Sequence, residues 1–120
     1  LGRPSPWAVP ELAKTYAWLG ARPGPALLSS GEPVRDGWLS GLPNRHLPAA
    51  ESGEDFAAAL KAARVTLILR VEGQDYGLEA DPTAVPRSQL ERAYRQLENP
   101  GLFRKIHEEP AERATVYEPR

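Results

Sequence analysis

The sequence contains no cysteine, no methionine and only two histidines. Without cysteine the chain has no disulfide, no thiolate zinc or iron–sulfur site and no cysteine nucleophile. No stretch approaches the ~18 consecutive apolar residues of a membrane-spanning helix, and the start, LGRPSPW, lacks the basic and apolar regions of a signal peptide. The sequence therefore predicts no cofactor and no membrane span. The compartment stays open, with the cytoplasm favoured over secretion.

Proline, by contrast, is abundant, with 13 among 120 residues, about double the usual share of ~5%. The chain is 41% hydrophobic and 26% charged, with a formal net charge of −1, which is typical of one small globular domain. The missing initiator methionine leaves open that the chain is a fragment of a larger protein. The expected parts of the domain, residues 1–120, are a Pro-rich arm (1–9), a short helix with an irregular Pro/Gly-rich segment (10–50), a helix–hairpin–helix core (51–109) and a tail or edge strand (110–120).

Apolar spacing predicts the helices. One helix is expected over Pro10–Leu19 and a turn of helix around Val34–Leu39, within an otherwise irregular segment. A further helix is expected over 54–63, because Ser52 precedes acidic residues that favour a helix start. The last regular helix is expected over 86–98.

The most regular stretch is RVTLILRVEGQDYGLEAD, which predicts an antiparallel hairpin with strands over 64–72 and 75–81. The turn falls on Gly73-Gln74, because glycine at the first loop position suits a type II′ turn. The expected core beneath it comprises Val65, Leu67, Leu69, Leu78, Phe56, Leu60, Leu90, Tyr94 and Leu97. The fold class is therefore α+β, with a hairpin packed on two to three short helices. This order also admits a winged-helix arrangement.

Two short segments near the C-terminus complete the expected secondary structure. Leu102, Phe103 and Ile106 suggest one further helical turn, and Thr115–Tyr117 suggests a short strand at the edge of the sheet.

The candidates for catalysis are weak. Ser40, His46 and Asp36 can be arranged on paper as a hydrolase triad, but no G-x-S-x-G elbow accompanies them. His107 precedes two glutamates, yet neighbouring side chains on a helix do not face each other and no HExxH pattern is present. The sequence therefore predicts neither a catalytic residue nor a metal site.

Aromatic and basic residues favour a contact surface instead. Trp38 is expected to anchor the irregular segment together with Leu39 and Leu42, Trp18 to cover that segment, and Trp7 to be exposed in the arm. Tryptophan and arginine are enriched in binding hot spots. The predicted partner-binding residues are Trp7, Arg87, Arg92, Arg95, Arg104 and Lys105.

Two functions follow from this pattern. A winged-helix domain would use residues 54–63 as its recognition helix and 64–81 as its wing. That helix begins with Glu54 and Asp55, which have the wrong charge for phosphate, so nucleic-acid binding is disfavoured. The favoured hypothesis is a non-enzymatic protein–protein interaction module: a regulator, adaptor or assembly component with an unidentified protein partner.

Overall fold

The computed structural model of the chain describes residues 12–73 and 84–120. Its described α-helices are α1 (Ala13–Gly20), α2 (Pro33–Ser40), α3 (Gly53–Ala62) and α4 (Arg87–Leu97). Its described strands are β1 (Leu28–Ser30), β2 (Asn44–His46), β3 (Leu67–Val71), β4 (Phe103–Glu109) and β5 (Ala114–Pro119). The α+β class is thus confirmed. None of the helices in these ranges is long and apolar enough to cross a membrane.

The five strands form one mixed sheet in the order β2-β1-β3-β5-β4. Strand β1 runs parallel to both β2 and β3, and α2 and α3 are the helical crossovers that such parallel connections need. Strand β5 runs antiparallel to both β3 and β4. The sheet therefore has a parallel half and an antiparallel half, which meet at β3.

Helices cover both faces of this sheet. On one face α1 and α2 pack over a cluster that includes Leu67, Leu69 and Val71. On the other face α3 and α4 pack over a cluster that includes Val65 and Ile68. Because successive strand residues point to opposite faces, β3 is apolar on both sides.

The core prediction is right about burial and wrong about the number of clusters. Every predicted core residue within the described ranges is buried, but these residues divide between two clusters instead of forming one. Leu67 and Leu69 belong to the cluster under α1 and α2, whereas Phe56 belongs to the one under α3 and α4. Leu78 lies outside the described residues.

The predicted hairpin is only partly seen. Its first strand is β3, but Gln74 and the second strand, 75–81, lie outside the described residues. The antiparallel partner that the structure shows for β3 is β5. The hairpin that is fully described joins β4 to β5 through a short 3-10 turn, Pro110–Glu112. The described ranges do not confirm the winged-helix arrangement, since β3 lies inside a larger sheet.

Two predictions near the C-terminus are wrong. Residues 102–106 do not form a helical turn, because strand β4 begins at Phe103. Over so short a run, the spacing of Leu102, Phe103 and Ile106 does not distinguish a helix from a strand. The C-terminal strand exists as β5, but it lies between β3 and β4 and is not an edge.

The helices form close to where they were expected. Ser52 caps α3 as predicted, since its hydroxyl accepts the Asp55 N–H at 3.1 Å. Helix α2 begins with Pro33 at its first position and ends at Gly41, whose φ of 77° suits glycine. The segment after α1 is therefore more regular than its proline and glycine content suggested, with β1, α2 and β2 in succession.

Candidate functional site

Helix α2 carries its polar side chains inward. Glu32, which precedes the helix, and Arg35 and Asp36 within it are each at most 5% exposed. Their spacing of i, i+3 and i+4 places them on one face of a helix. That face lies against Tyr16 of α1 and Ser30 of β1, which both hydrogen-bond to Asp36, so the buried side of α2 is ionic.

The buried charges form one connected cluster. The Arg35 guanidinium contacts the Glu32 carboxylate and lies 3.3 Å from the Asp36 carboxylate. The Tyr16 hydroxyl donates to Asp36 at 2.6 Å. One guanidinium thus lies between two carboxylates. Removing any one of these three side chains would leave a buried charge without compensation, which is costly.

The pKa shifts in opposite directions for this cluster and for Glu112, an acid that contacts the start of α1. Burial raises the pKa of Asp36, although Arg35 and Tyr16 oppose the shift. Burial, reinforced by the charge of Asp36, also raises the pKa of Tyr16. Burial alone would raise the pKa of Glu112 too, but hydrogen bonds from Thr15 and Lys14 outweigh it, and that pKa is lowered.

The outer face of α2 is apolar. Val34 is 42% exposed and Trp38 is 73% exposed, and they are the exposed large hydrophobic residues of the described ranges. Their i, i+4 spacing makes them neighbours on the helix surface. Trp38 is therefore not an anchor of the segment as predicted, whereas Leu39 and Leu42 do pack against the cluster under α1 and α2.

A groove runs beside this apolar face. It has a volume of about 530 Å³ and lies between Val34, strand β2 and the alanine-rich side of α3. Its lining includes Ala59 and Ala63, and its charged or titratable lining residues are Arg45 and His46. Arg45 is exposed and has no ion pair within the described part of the chain.

The structure does not bring together the candidate hydrolase triad of Ser40, His46 and Asp36. Asp36 is buried and accepts from Tyr16, while His46 is exposed on β2 and lines the groove. The Ser40 hydroxyl accepts the Leu42 N–H at 3.2 Å. Within the described residues no group of three or more His, Asp or Glu side chains is placed to hold a metal ion.

The predicted basic surface is divided between two elements. Arg87, Arg92 and Arg95 are exposed on α4, and Arg92 lies 3.3 Å from Glu51. Arg104 pairs with Glu118 across the β4–β5 hairpin. Arg92 and Arg104 thus form ion pairs with acids outside their own elements.

Lys105 and two tryptophans are the other residues for which the sequence predicts a role in contacts. Lys105 lies 3.4 Å from Glu108 on β4. Trp18 is half-buried and stacks on His107 with ring centres 4.2 Å apart, so it ties α1 to β4. Trp7 lies outside the described residues.

Sequence reasoning missed the groove and the orientation of α2. Both depend on strands that contain no alternating apolar pattern: β1 is Leu-Ser-Ser and β2 is Asn-Arg-His. The i, i+4 pair Val34 and Trp38 was visible in the sequence. Tryptophan is highly buried on average, which is why the sequence predicts Trp38 as an anchor.

Comparison with known proteins gives a fold and no family. No family model and no curated protein matches the chain. Among solved structures, it is similar to the C-terminal globular domain of an oligosaccharyltransferase from Archaeoglobus fulgidus. The TM-score is 0.57 at 12% identity, over 93% of this chain and 98% of that domain. At this identity the similarity concerns the fold.

Proposed function

We propose that this chain is a non-enzymatic contact domain of a larger protein, and that it docks through the groove between α2, β2 and α3. The observation that carries the proposal is the orientation of α2, which buries Glu32, Arg35 and Asp36 and exposes Trp38. This distribution is the reverse of what a helix on a free surface favours.

The exposed face is large enough to contribute to binding. A tryptophan side chain offers roughly 150–250 Å² of surface, so covering the exposed part of Trp38 is worth on the order of 3–4 kcal/mol before the costs of association. Val34 extends the patch toward the groove. An aromatic anchor beside an apolar pocket is the arrangement of a binding hot spot.

The charge of the groove indicates what occupies it. Arg45 and His46 line it, and no acidic side chain does so within the described residues. A second copy of this chain would bring two basic grooves together, which is unfavourable. The occupant that fits is an apolar segment carrying carboxylates, supplied by another part of the larger protein or by its partner.

The structural comparison supports the setting of this proposal. A domain of the same fold is described as the C-terminal globular domain of an oligosaccharyltransferase. Fold alone does not establish function, but it shows that this architecture serves as one domain of a larger enzyme. We place the present chain in such a setting, as a domain attached to a glycan-handling protein.

The basic surface predicted from the sequence is a second part of the proposal. Arg87 and Arg95 are exposed and have no ion pair among the described residues, so their guanidinium groups are available to carboxylates of a partner. Reversing Arg95 and Arg92 to glutamate should weaken capture of that partner and leave the melting temperature nearly unchanged. Unchanged capture would remove α4 from the contact surface.

Site-directed crosslinking tests the docking groove. Because the chain has no cysteine, Ala63→Cys provides a unique thiol in the groove for a photoactivatable label. Illumination in an extract of the source cells should give one main adduct. Mass spectrometry of that adduct should place the crosslink in an apolar segment containing Asp or Glu.

Two variants and a control make this test specific. Trp38→Ala and Arg45→Glu, each added to the labelled protein, should abolish the adduct without lowering the melting temperature appreciably. Trp18→Ala is the matched control, because it removes the stack on His107 and should lower stability while leaving the adduct intact. Docking through this groove is wrong if the adduct survives both groove variants, or if the crosslinked segment is basic.

A further inference from the structure

A second concave site lies on the same face of the sheet as α4, at the opposite side of the molecule from β2. It is a cleft of about 380 Å³ where the end of β3, the start of β5 and the end of β4 meet. Small-molecule sites typically have volumes of about 300–1,000 Å³. Its lining is polar on all three strands, and includes Arg70, Glu72, Lys105, Arg113, Thr115 and Tyr117.

Arg70 is held in place within this cleft. Its Nε lies 2.5 Å from Glu72, one terminal nitrogen donates to the Tyr94 carbonyl at 3.1 Å, and the other lies 3.3 Å from Glu98. These bonds use three of the five N–H donors of the guanidinium, and Tyr117 is a further hydrogen-bond partner of the same side chain. A charged donor fixed in this way loses little conformational entropy when it binds a ligand.

Arg113 contributes a second guanidinium, with different surroundings. Its backbone is fixed in the left-handed region at φ 56°, where its carbonyl accepts the Glu72 N–H at 2.9 Å. Its side chain lies over Gly73, since a β-carbon there would be 2.5 Å from one guanidinium nitrogen. Among residues 12–73 and 84–120 it has no ion pair.

The mixture of groups selects one class of ligand. Thr115 and Tyr117 supply hydroxyls, Glu72 and Glu108 supply acceptors, and the guanidinium groups supply donors. A bare phosphate needs donors only and would leave the carboxylate acceptors of the cleft without a partner. Sugar hydroxyls both donate and accept, and an anionic substituent would satisfy Arg113.

We infer that this cleft binds an acidic saccharide, with the carboxylate or other anionic group of the sugar at Arg113 and the hydroxyls of the sugar against Arg70, Glu72, Thr115 and Tyr117. This site would give a contact domain of a glycan-handling protein a direct hold on its glycan. In that respect the inference rests on the proposed function, but it uses no residue of the docking groove.

NMR titration of the isolated chain tests it with three probes. These are a hyaluronan tetrasaccharide, which carries carboxylates, the neutral sugar chitotetraose, and inorganic phosphate. We expect the acidic saccharide to shift the amide signals of residues 70–73 and 113–117, with a dissociation constant on the order of 1 mM or below. Chitotetraose should bind at least about fivefold more weakly, by ~1 kcal/mol, and phosphate should not produce the same set of shifts.

Arg113→Asn separates the contribution of the charge from that of the fold, because asparagine tolerates the left-handed conformation. It should remove the preference for the acidic saccharide while leaving the melting temperature unchanged. Arg64→Asn is the matched control and should leave saccharide binding unchanged, because Arg64 is an exposed arginine in the same left-handed region, with φ 62°, and lines neither the cleft nor the docking groove.

The inference is overturned if the acidic saccharide gives no shifts in these residues, if it binds Arg113→Asn as well as the unaltered chain, or if chitotetraose or phosphate binds equally well. These results are independent of the crosslinking experiment. If the crosslinking test fails and the saccharide binds, the docking groove is wrong and the saccharide cleft stands. If the crosslinking test succeeds and the saccharide does not bind, the groove stands and the cleft is wrong.

Discussion

Replacement of Glu112 should destabilise the protein by removing the cap of α1. Helix α1 has no side-chain cap of its own at Leu12. Instead the Glu112 carboxylate accepts the Lys14 N–H and the Thr15 N–H, each at 2.8 Å, and the Thr15 hydroxyl at 2.5 Å. The carboxylate thus satisfies donors of the first helical turn from a position remote in sequence.

The size of the effect follows from these bonds. Loss of a helix N-cap costs about 0.5–2 kcal/mol, and a hydrogen bond to a charged group is worth about 1.5–3 kcal/mol. Because the Lys14 bond is exposed, water replaces part of the loss. We expect Glu112→Ala to lower the free energy of unfolding by about 2 kcal/mol, and the melting temperature by roughly 5–10 °C.

The contribution of Glu112 to the free energy of unfolding should depend on pH. The pKa of Glu112 is lower in the folded protein than in the unfolded chain, where it is ~4.3. Its contribution is therefore fully present above the unfolded value and is lost as the pH falls through the folded value. The difference in unfolding free energy between the unaltered chain and Glu112→Gln should be constant above about pH 5.5 and should shrink below about pH 4.

Urea denaturation at a series of pH values provides the measurement. Glu108→Gln is the matched control, since Glu108 makes an exposed ion pair with Lys105 at 3.4 Å, and such pairs contribute little. The interpretation is refuted if Glu112→Ala costs no more than this control, or if its cost does not change between neutral pH and pH 3.

Three further predictions concern the core, the ionic cluster and nucleic acid. Leu69→Ala should lower the free energy of unfolding by about 2–5 kcal/mol, because Leu69 is 1% exposed; a loss below about 1 kcal/mol in urea denaturation would contradict the two-sided burial of β3. Tyr16→Phe should cost about 1–3 kcal/mol by removing a hydrogen bond to buried Asp36, and a neutral result by the same assay would show that this bond is not needed. A mobility-shift titration at physiological salt should give no sub-micromolar DNA binding; tight binding that is lost with Lys61→Ala and Arg64→Ala would contradict this.

The parts of the fold that could be predicted from sequence are those with regular local patterns. Helices α3 and α4 have clear apolar stripes, and a recognisable cap at Ser52 fixes the start of α3. Strand β3 has β-branched and apolar residues on both faces, which suit a central strand. In each case local propensity and tertiary position favour the same structure.

The parts that could not be predicted depend on contacts distant in sequence. Strand β1 is a strand because β2 and β3 pair with it on both sides, and its serines give no strand signal. Strand β4 has apolar spacing that fits a helical turn, and only its pairing with β5 decides the matter. The register of β3 with β5 joins residues that no local pattern connects.

The candidate site could not be predicted from the sequence for a related reason, which concerns the orientation of α2. Whether α2 turns Trp38 or Asp36 inward depends on the layer beneath it, where the Ser30 hydroxyl accepts from Asn44 at 3.0 Å and the Tyr16 hydroxyl donates to Asp36. This layer is polar, so the charges of α2 face it and Trp38 faces outward.

If the ionic cluster sets this orientation, Trp38 is in water even without a partner. The difference between the fluorescence spectra of the unaltered chain and Trp38→Phe should then show emission typical of a hydrated indole. Addition of the crosslinked partner segment, as a synthetic peptide, should shift that emission to shorter wavelength, because docking removes the indole from water. Emission that is already blue-shifted in the isolated chain would mean that Trp38 is covered within the domain, and the argument for docking through α2 would then fail.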